Sequence, residues 1–200
     1  MQVVGEPQYS PVHTVGHSTR TVDEFVSLLR LGGVTRVIDV RTIPRSRTNP
    51  QYNLERLPDA LASYQVGHRY IPALGGLRSK SAGVATETNA MWRNRSFHNY
   101  ADYALTPAFR DGLQELLDLA ARERCAIMCA EAVWWRCHRR IIADYLIAAG
   151  ATVLHLMAPA KVEPAHLTPG AVIERGDVTY PLGGGTLSPG GPSPLKRSAT

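Results

Sequence analysis

Short β-branched or apolar runs alternate with helix-length stretches along this chain, and that alternation limits the fold more than any other feature. Val12-His13-Thr14-Val15-Gly16 predicts a strand, and Thr21-Val22-Asp23-Glu24 predicts a helix start. Thr21 there can cap the first turn while Glu24 reaches back to the Thr21 N–H. Phe25, Leu28 and Leu29 give this helix an apolar stripe, and Gly32-Gly33 ends it. Val34 to Val40 is the next buried strand, of the kind found in parallel sheets. A helix near Leu54–Tyr64 and a short strand at His68–Ile71 follow. Asn99–Leu105 predicts a helical turn, and Thr106-Pro107 opens a helix with proline at its tolerated first position. Cys125–Cys129 is a fourth strand, Cys137 to Ala149 a helix closed by Gly150, and Ala151–Met157 a last core strand.

Strand–helix alternation implies right-handed crossovers. The expected fold is α/β: a three-layer, Rossmann-like, mostly parallel sheet of about five strands with helices on both faces. Residues 1–11 are a leader, 12–158 the α/β domain and 159–181 a short extension in which 172–180 could pair as strands. Residues 182–200, rich in Pro, Gly and Ser, are expected to be a disordered tail. The stretch 73–98 has little periodicity, and irregular connections of that length are usually functional or mobile.

Composition removes several classes. No run of eighteen apolar residues exists, so no membrane span is expected. MQVVGEPQYSP has neither the basic nor the apolar part of a signal peptide. Three cysteines argue against a disulfide framework and for a reducing, cytoplasmic setting. The net charge of +5 resides wholly in residues 1–100, largely as arginine in the loops at 41–47 and 78–95. A forked guanidinium suits phosphate or carboxylate, so an anionic small molecule or a nucleic acid is the expected partner, against the plain alternative of a solvated rim.

In a parallel sheet, ligands bind outside the carboxyl ends of the strands. Three predicted strands end in polar groups that a core does not need: Gly16-His17-Ser18, Asp39-Val40-Arg41 and Cys129-Ala130-Glu131. Cys137-His138-Arg139 lies where the next helix starts, and free N–H groups at a helix start can hold an anion or lower a thiol pKa.

Three chemistries suit these residues. Glu131, Asp39 and His17 could serve as acid, base and orienter, with Ser18, Arg41, Arg45 and Arg139 holding an anionic substrate. Cys129 could be a nucleophile. A phosphatase-like loop is disfavoured, because Trp135 stands six positions after Cys129 where an arginine belongs, and no glycine intervenes. Cys129, Cys137 and His138 are candidate metal ligands. Their spacing fits no common knuckle, and adjacent residues rarely reach one ion together, so no cofactor is expected and a metal is a minor alternative. Trp134 and Tyr100 could stack a base, although core roles compete.

Val15-Gly16-His17-Ser18-Thr19-Arg20, Ile38-Asp39-Val40-Arg41 with Pro44-Arg45-Ser46-Arg47, Leu74-Gly75-Gly76, Tyr100-Ala101-Asp102-Tyr103 and Met128-Cys129-Ala130-Glu131 with Cys137-His138-Arg139 together resemble the domain of unknown function 488 family. The likeness spans about residues 13–157. It implies a small bacterial or archaeal cytosolic protein with a Rossmann-like sheet. It also implies a cluster at His17, Asp39, Arg41, Cys129, Glu131, Cys137, His138 and Arg139. No reaction comes with it. Where the family often has Arg-Gly before Tyr-Ala-Asp-Tyr, this chain has His98-Asn99.

Overall fold

The computed structural model describes residues 8–158 and 161–183. Most of the tail expected at 182–200 and most of the leader lie outside the described residues.

Five strands run parallel: β1 (Val12–Gly16), β2 (Arg36–Asp39), β3 (Gly67–Tyr70), β4 (Cys125–Cys129) and β5 (Val153–Ala158). A sixth, β6 (Lys161–Pro164), pairs antiparallel with β5 and gives the sheet order β3-β2-β4-β1-β5-β6. The expectation of about five strands misses β6, which sits in the Pro-containing stretch after the last apolar run. Among the described residues, five α-helices cover the sheet: α1 (Val22–Leu31), α2 (Leu57–Ala62), α3 (Arg95–Ala104), α4 (Pro107–Ala120) and α5 (Arg139–Ala148). The Thr21–Glu24 capping box forms as expected, and Gly33 takes the left-handed backbone that ends the turn.

Strand alternation sends β-residues to two cores. Val15, Val37, Ala126 and Met128 pack with Phe25, Leu29, Leu57 and Leu61 of α1 and α2. Val12, Ile38, Ile127 and Val153 pack with residues of α3, α4 and α5. Each fully buried aliphatic side chain stabilises by about 1.5–3 kcal/mol. The result is the expected three-layer, Rossmann-like arrangement.

The topology also selects a place for ligands. From β1 to β2 to β3 the chain moves toward one edge with α1 and α2 on one face. From β3 to β4 to β5 it moves back with α3–α5 on the other. A constant crossover hand requires that exchange of face when direction reverses. At the carboxyl rim, the segments leaving β1 and β2 therefore turn to one face while the segment leaving β4, between them, turns to the other. A crevice opens at such a switch point.

Residues 161–183 are built into this body. The hairpin β7 (Val172–Glu174) and β8 (Asp177–Thr179) leads to Tyr180, which is buried and donates its hydroxyl to Asp144 at 2.8 Å. Asp144 also accepts from the Thr168 N–H, and Arg110 forms a fork with Asp177. No helix among the described residues is long and apolar enough to cross a membrane.

Candidate functional site

His17, Asp39, Arg41, Cys129 and Glu131 all come to the carboxyl rim, because β1, β2 and β4 are parallel neighbours in register. They divide between the two faces of the sheet.

On the α1/α2 side, Asp39 and Arg41 are two apart and therefore point the same way from β2. Arg41 Nε donates to Asp39 Oδ1 at 2.8 Å and its terminal nitrogen to Oδ2 at 2.5 Å. That nitrogen also donates to the Tyr52 carbonyl at 2.6 Å. Burial by itself raises the Asp39 pKa, but the hydrogen bonds from Arg41, the nearby His68 ring at 3.7 Å and the Arg41 charge outweigh it and hold the carboxyl below its usual range. The His17 ring stacks on Tyr52 with 4.1 Å between centroids. Its Nδ1 donates to the Ser18 carbonyl at 2.8 Å, so Nε2 is the accepting nitrogen and faces Arg41 at 3.4 Å. Burial, with the Arg41 charge adding to it, pushes the His17 pKa down to about 4 against the Ser18 bond. This side is an ionised carboxylate, a forked arginine and a neutral imidazole, each held in place by the others.

On the α3–α5 side, Cys129 ends β4, and the chain returns through a 3-10 turn at Trp134–Arg136 to Cys137. The helix predicted from Cys137 begins two residues later, at Arg139, because that turn reaches as far as Arg136. Arg139 is 1% exposed; its Nε donates to Cys137 Sγ at 3.3 Å and its terminal nitrogen to the Glu131 carbonyl at 2.5 Å. His138 Nε2 lies 2.9 Å from the Val40 carbonyl, which only accepts, so Nε2 carries the proton. His138 Nδ1 then faces Cys137 Sγ at 3.5 Å. Burial alone raises the Cys137 thiol, yet a hydrogen bond from Cys129, the Arg139 charge and His138 outweigh it and hold Cys137 well below the usual range. Cys129, which donates that bond and is buried, is pushed well above it.

Two glycines make the close approaches possible. A Cβ on Gly16 would stand 1.9 Å from the Glu131 carbonyl oxygen, and one on Gly76 would stand 2.4 Å from His138 Nδ1.

Between these clusters lies a cleft of about 350 Å³ whose wall includes Arg41, Cys129, Glu131, Arg136, Cys137 and His138. Glu131 and Arg136 are exposed and form no ion pair among the described residues. The sequence assigned no site role to Arg136, Tyr52 or Gly76, although Leu74-Gly75-Gly76 is among the motifs behind the resemblance.

Other expected residues stand elsewhere. Tyr100 is buried beneath the cluster, donating to the Leu74 carbonyl at 2.8 Å, with its ring edge toward His138 at 5.0 Å. Trp134 stacks on His155 at 4.3 Å. Arg45 lines a separate hollow with Pro44, Leu54 and Glu55. Ser18 is half-buried at a left-handed turn, where its N–H donates to the Ala130 carbonyl at 3.0 Å. Trp92 is buried, stacked on Phe97 and approached by the Arg140 guanidinium, each 4.9 Å away.

No curated protein and no solved structure matches the sequence. The family model described as Domain of unknown function DUF488 matches residues 21–146, a span holding α1 to α4, most of α5 and every cleft residue named above. The chain belongs to the DUF488 family.

Proposed function

We propose that this protein is an enzyme acting on an anionic small molecule, a nucleotide, nucleobase or sugar phosphate, by general acid/base chemistry in the rim cleft. One observation carries the reading: Glu131 is an exposed carboxylate without an ion pair among the described residues, on a wall shared with Arg41 and Arg136. A general acid/base needs a group free to gain and lose a proton beside its substrate, and an anionic substrate needs cations in reach. Of the two rim carboxylates, Asp39 is committed to Arg41, which leaves Glu131 for proton transfer. In this reading Asp39 and His17 position Arg41, whose third nitrogen faces the ring, and Arg136 meets the anion from the opposite chain segment. A small molecule is favoured over a nucleic-acid strand because Trp92, the ring beside the basic residues 93–95, is buried and already stacked on Phe97. The free thiols suit a cytoplasmic setting.

The test is turnover by the purified protein on a panel of nucleosides, nucleotides and sugar phosphates, with Glu131→Gln beside the parent. Glu131→Gln should lower kcat about 10²–10⁴-fold while the melting temperature stays within a degree or two. Undiminished turnover by a folded Glu131→Gln protein would reject the assignment.

A further inference from the structure

The floor of the cleft carries two sulfurs and an imidazole nitrogen, a donor set that acid/base catalysis by Glu131 does not require. Cys129 Sγ, Cys137 Sγ and His138 Nδ1 all lie within 4.8 Å of one another and all three residues line the cleft. We infer that these three side chains bind a thiophilic divalent cation, zinc by preference, leaving a fourth coordination position open to the cleft.

The spacing is close to what zinc requires. Tetrahedral bonds of about 2.3 Å to sulfur and about 2.0 Å to nitrogen put two such ligands roughly 3.5 Å apart. Cys137 Sγ and His138 Nδ1 are 3.5 Å apart. Adjacent residues seldom share an ion, because extended backbone throws successive side chains to opposite sides. Here the backbone changes from extended at Cys137 (φ −127°, ψ 146°) to helical at His138 (φ −57°, ψ −17°), and that switch brings both donors to one side.

The surroundings favour the ligating forms. The bond from His138 Nε2 to the Val40 carbonyl fixes the tautomer and aims the Nδ1 lone pair at the sulfurs, which is how a metal-binding histidine is commonly oriented. Arg139 donates to Cys137 Sγ and so offsets the charge of a bound thiolate. A Cβ on Gly76 would stand 2.4 Å from Nδ1, so the glycine is what lets the ring sit in this place. Two sulfurs and one nitrogen select a borderline-soft cation over magnesium or calcium, which require oxygen. Three protein ligands with access from a cleft is the pattern of a catalytic zinc site, whereas structural sites are closed by a fourth. The open position would take water or an oxygen of the substrate. The inference goes beyond the acid/base reading, and its test needs no substrate, so either can fail alone.

The experiment uses the full-length protein, reduced and stripped with chelator, then titrated with zinc against a chromophoric competitor and separately with cobalt(II). Stoichiometric zinc binding is expected, along with a thiolate-to-cobalt charge-transfer band and the intense visible bands of tetrahedral coordination. Cys129→Ser, Cys137→Ser and His138→Ala should each weaken zinc by about 100-fold or more, while Cys125→Ala, at the opposite end of β4, should bind as the parent does. Circular dichroism establishes that each variant is folded, and Cys137→Ala replaces any serine variant that is not. Absent binding by protein with all three thiols reduced would overturn the site, as would an octahedral cobalt spectrum or unchanged affinity in folded Cys137→Ser. Recovery of a Cys129–Cys137 disulfide that excludes metal under reducing conditions would do the same.

Discussion

The two halves of the rim are built from the same kinds of residue and differ in what is left uncommitted. On the α1/α2 side, Asp39, Arg41, His17 and Tyr52 satisfy one another: both carboxylate oxygens and the main donors of the arginine have partners, and the imidazole is held neutral between a stacked ring and a guanidinium. On the α3–α5 side, two sulfurs and an imidazole nitrogen stand close together on the wall of a cleft. A polar cluster at a ligand-binding rim is therefore not by itself a reactive one. The first half braces three chain segments and presents one face of Arg41; the second presents donors.

That contrast predicts unequal costs of substitution. Asp39→Ala leaves the Arg41 guanidinium buried, at 5% exposure, with its charge unmatched. Breaking a buried pair in this way costs about 3–5 kcal/mol. Cys137→Ser keeps a small acceptor beside Arg139 Nε and should cost about 1–2 kcal/mol, in the range of ordinary single substitutions. Urea denaturation of both variants measures the difference. Equal losses would dissolve the distinction between brace and donor set.

Much of this was legible in the chain because it depends on local chemistry. Cys125–Cys129 is a strand to the residue, since an apolar run flanked by polar segments has few other uses. The capping box at Thr21 and Glu24 carries its own geometry. Parallel strands then deliver their terminal residues to one rim, where Glu131 and Arg41 line the cleft while His17 and Asp39 lie behind Arg41. Which of them stays free was not legible. The Tyr52 ring reaches His17 from a segment 35 positions away, and Gly76 meets His138 across 62, through packing that no spacing rule encodes. The same holds for Tyr180, where the apolar contact and the Asp144 bond both lie far off in sequence, so that an apparent extension is part of the core. The start of α5 shifted because Trp134–Arg136 forms its own turn.

A buried imidazole away from both halves supplies a scale for the brace. His155 accepts or donates at Thr14 Oγ1, 2.7 Å away, and stacks on Trp134. Burial, then the Arg139 charge, depress its pKa from 6.5 to about 4. Above pH 6.5 the ring is neutral both folded and unfolded and adds no pH dependence. Between pH 6.5 and 4 the unfolded chain takes up a proton that the folded ring refuses, so stability falls as pH falls. The loss approaches about 3 kcal/mol near pH 4. His155→Gln keeps a partner for Thr14 without titrating, and its stability should decline less over that window. An identical pH profile for the parent and His155→Gln would show that His155 carries none of the dependence.

The finest test uses two tyrosine hydroxyls that do the same job on opposite sides. Tyr52 donates to the Thr21 carbonyl at 3.1 Å, tying the brace to the start of α1. Tyr100 donates to the Leu74 carbonyl at 2.8 Å, tying the turn before Gly76 to α3 beneath His138. Phenylalanine keeps each ring and its packing and removes one hydrogen bond, so each variant should lose about 1 kcal/mol in urea denaturation. Their consequences for the cleft should differ. Tyr52→Phe acts on groups already held by several other bonds, and the donors facing the cleft stay where they are. Tyr100→Phe loosens the turn that gives His138 its clearance, so the imidazole gains freedom relative to Cys137. Zinc affinity should therefore fall several-fold in Tyr100→Phe and stay at the parent value in Tyr52→Phe, at matched stability. Equal affinities in the two variants would mean that the position of His138 is set by its bond to Val40 alone, and that the turn at 72–76 is a wall of the cleft without a part in aiming the ring.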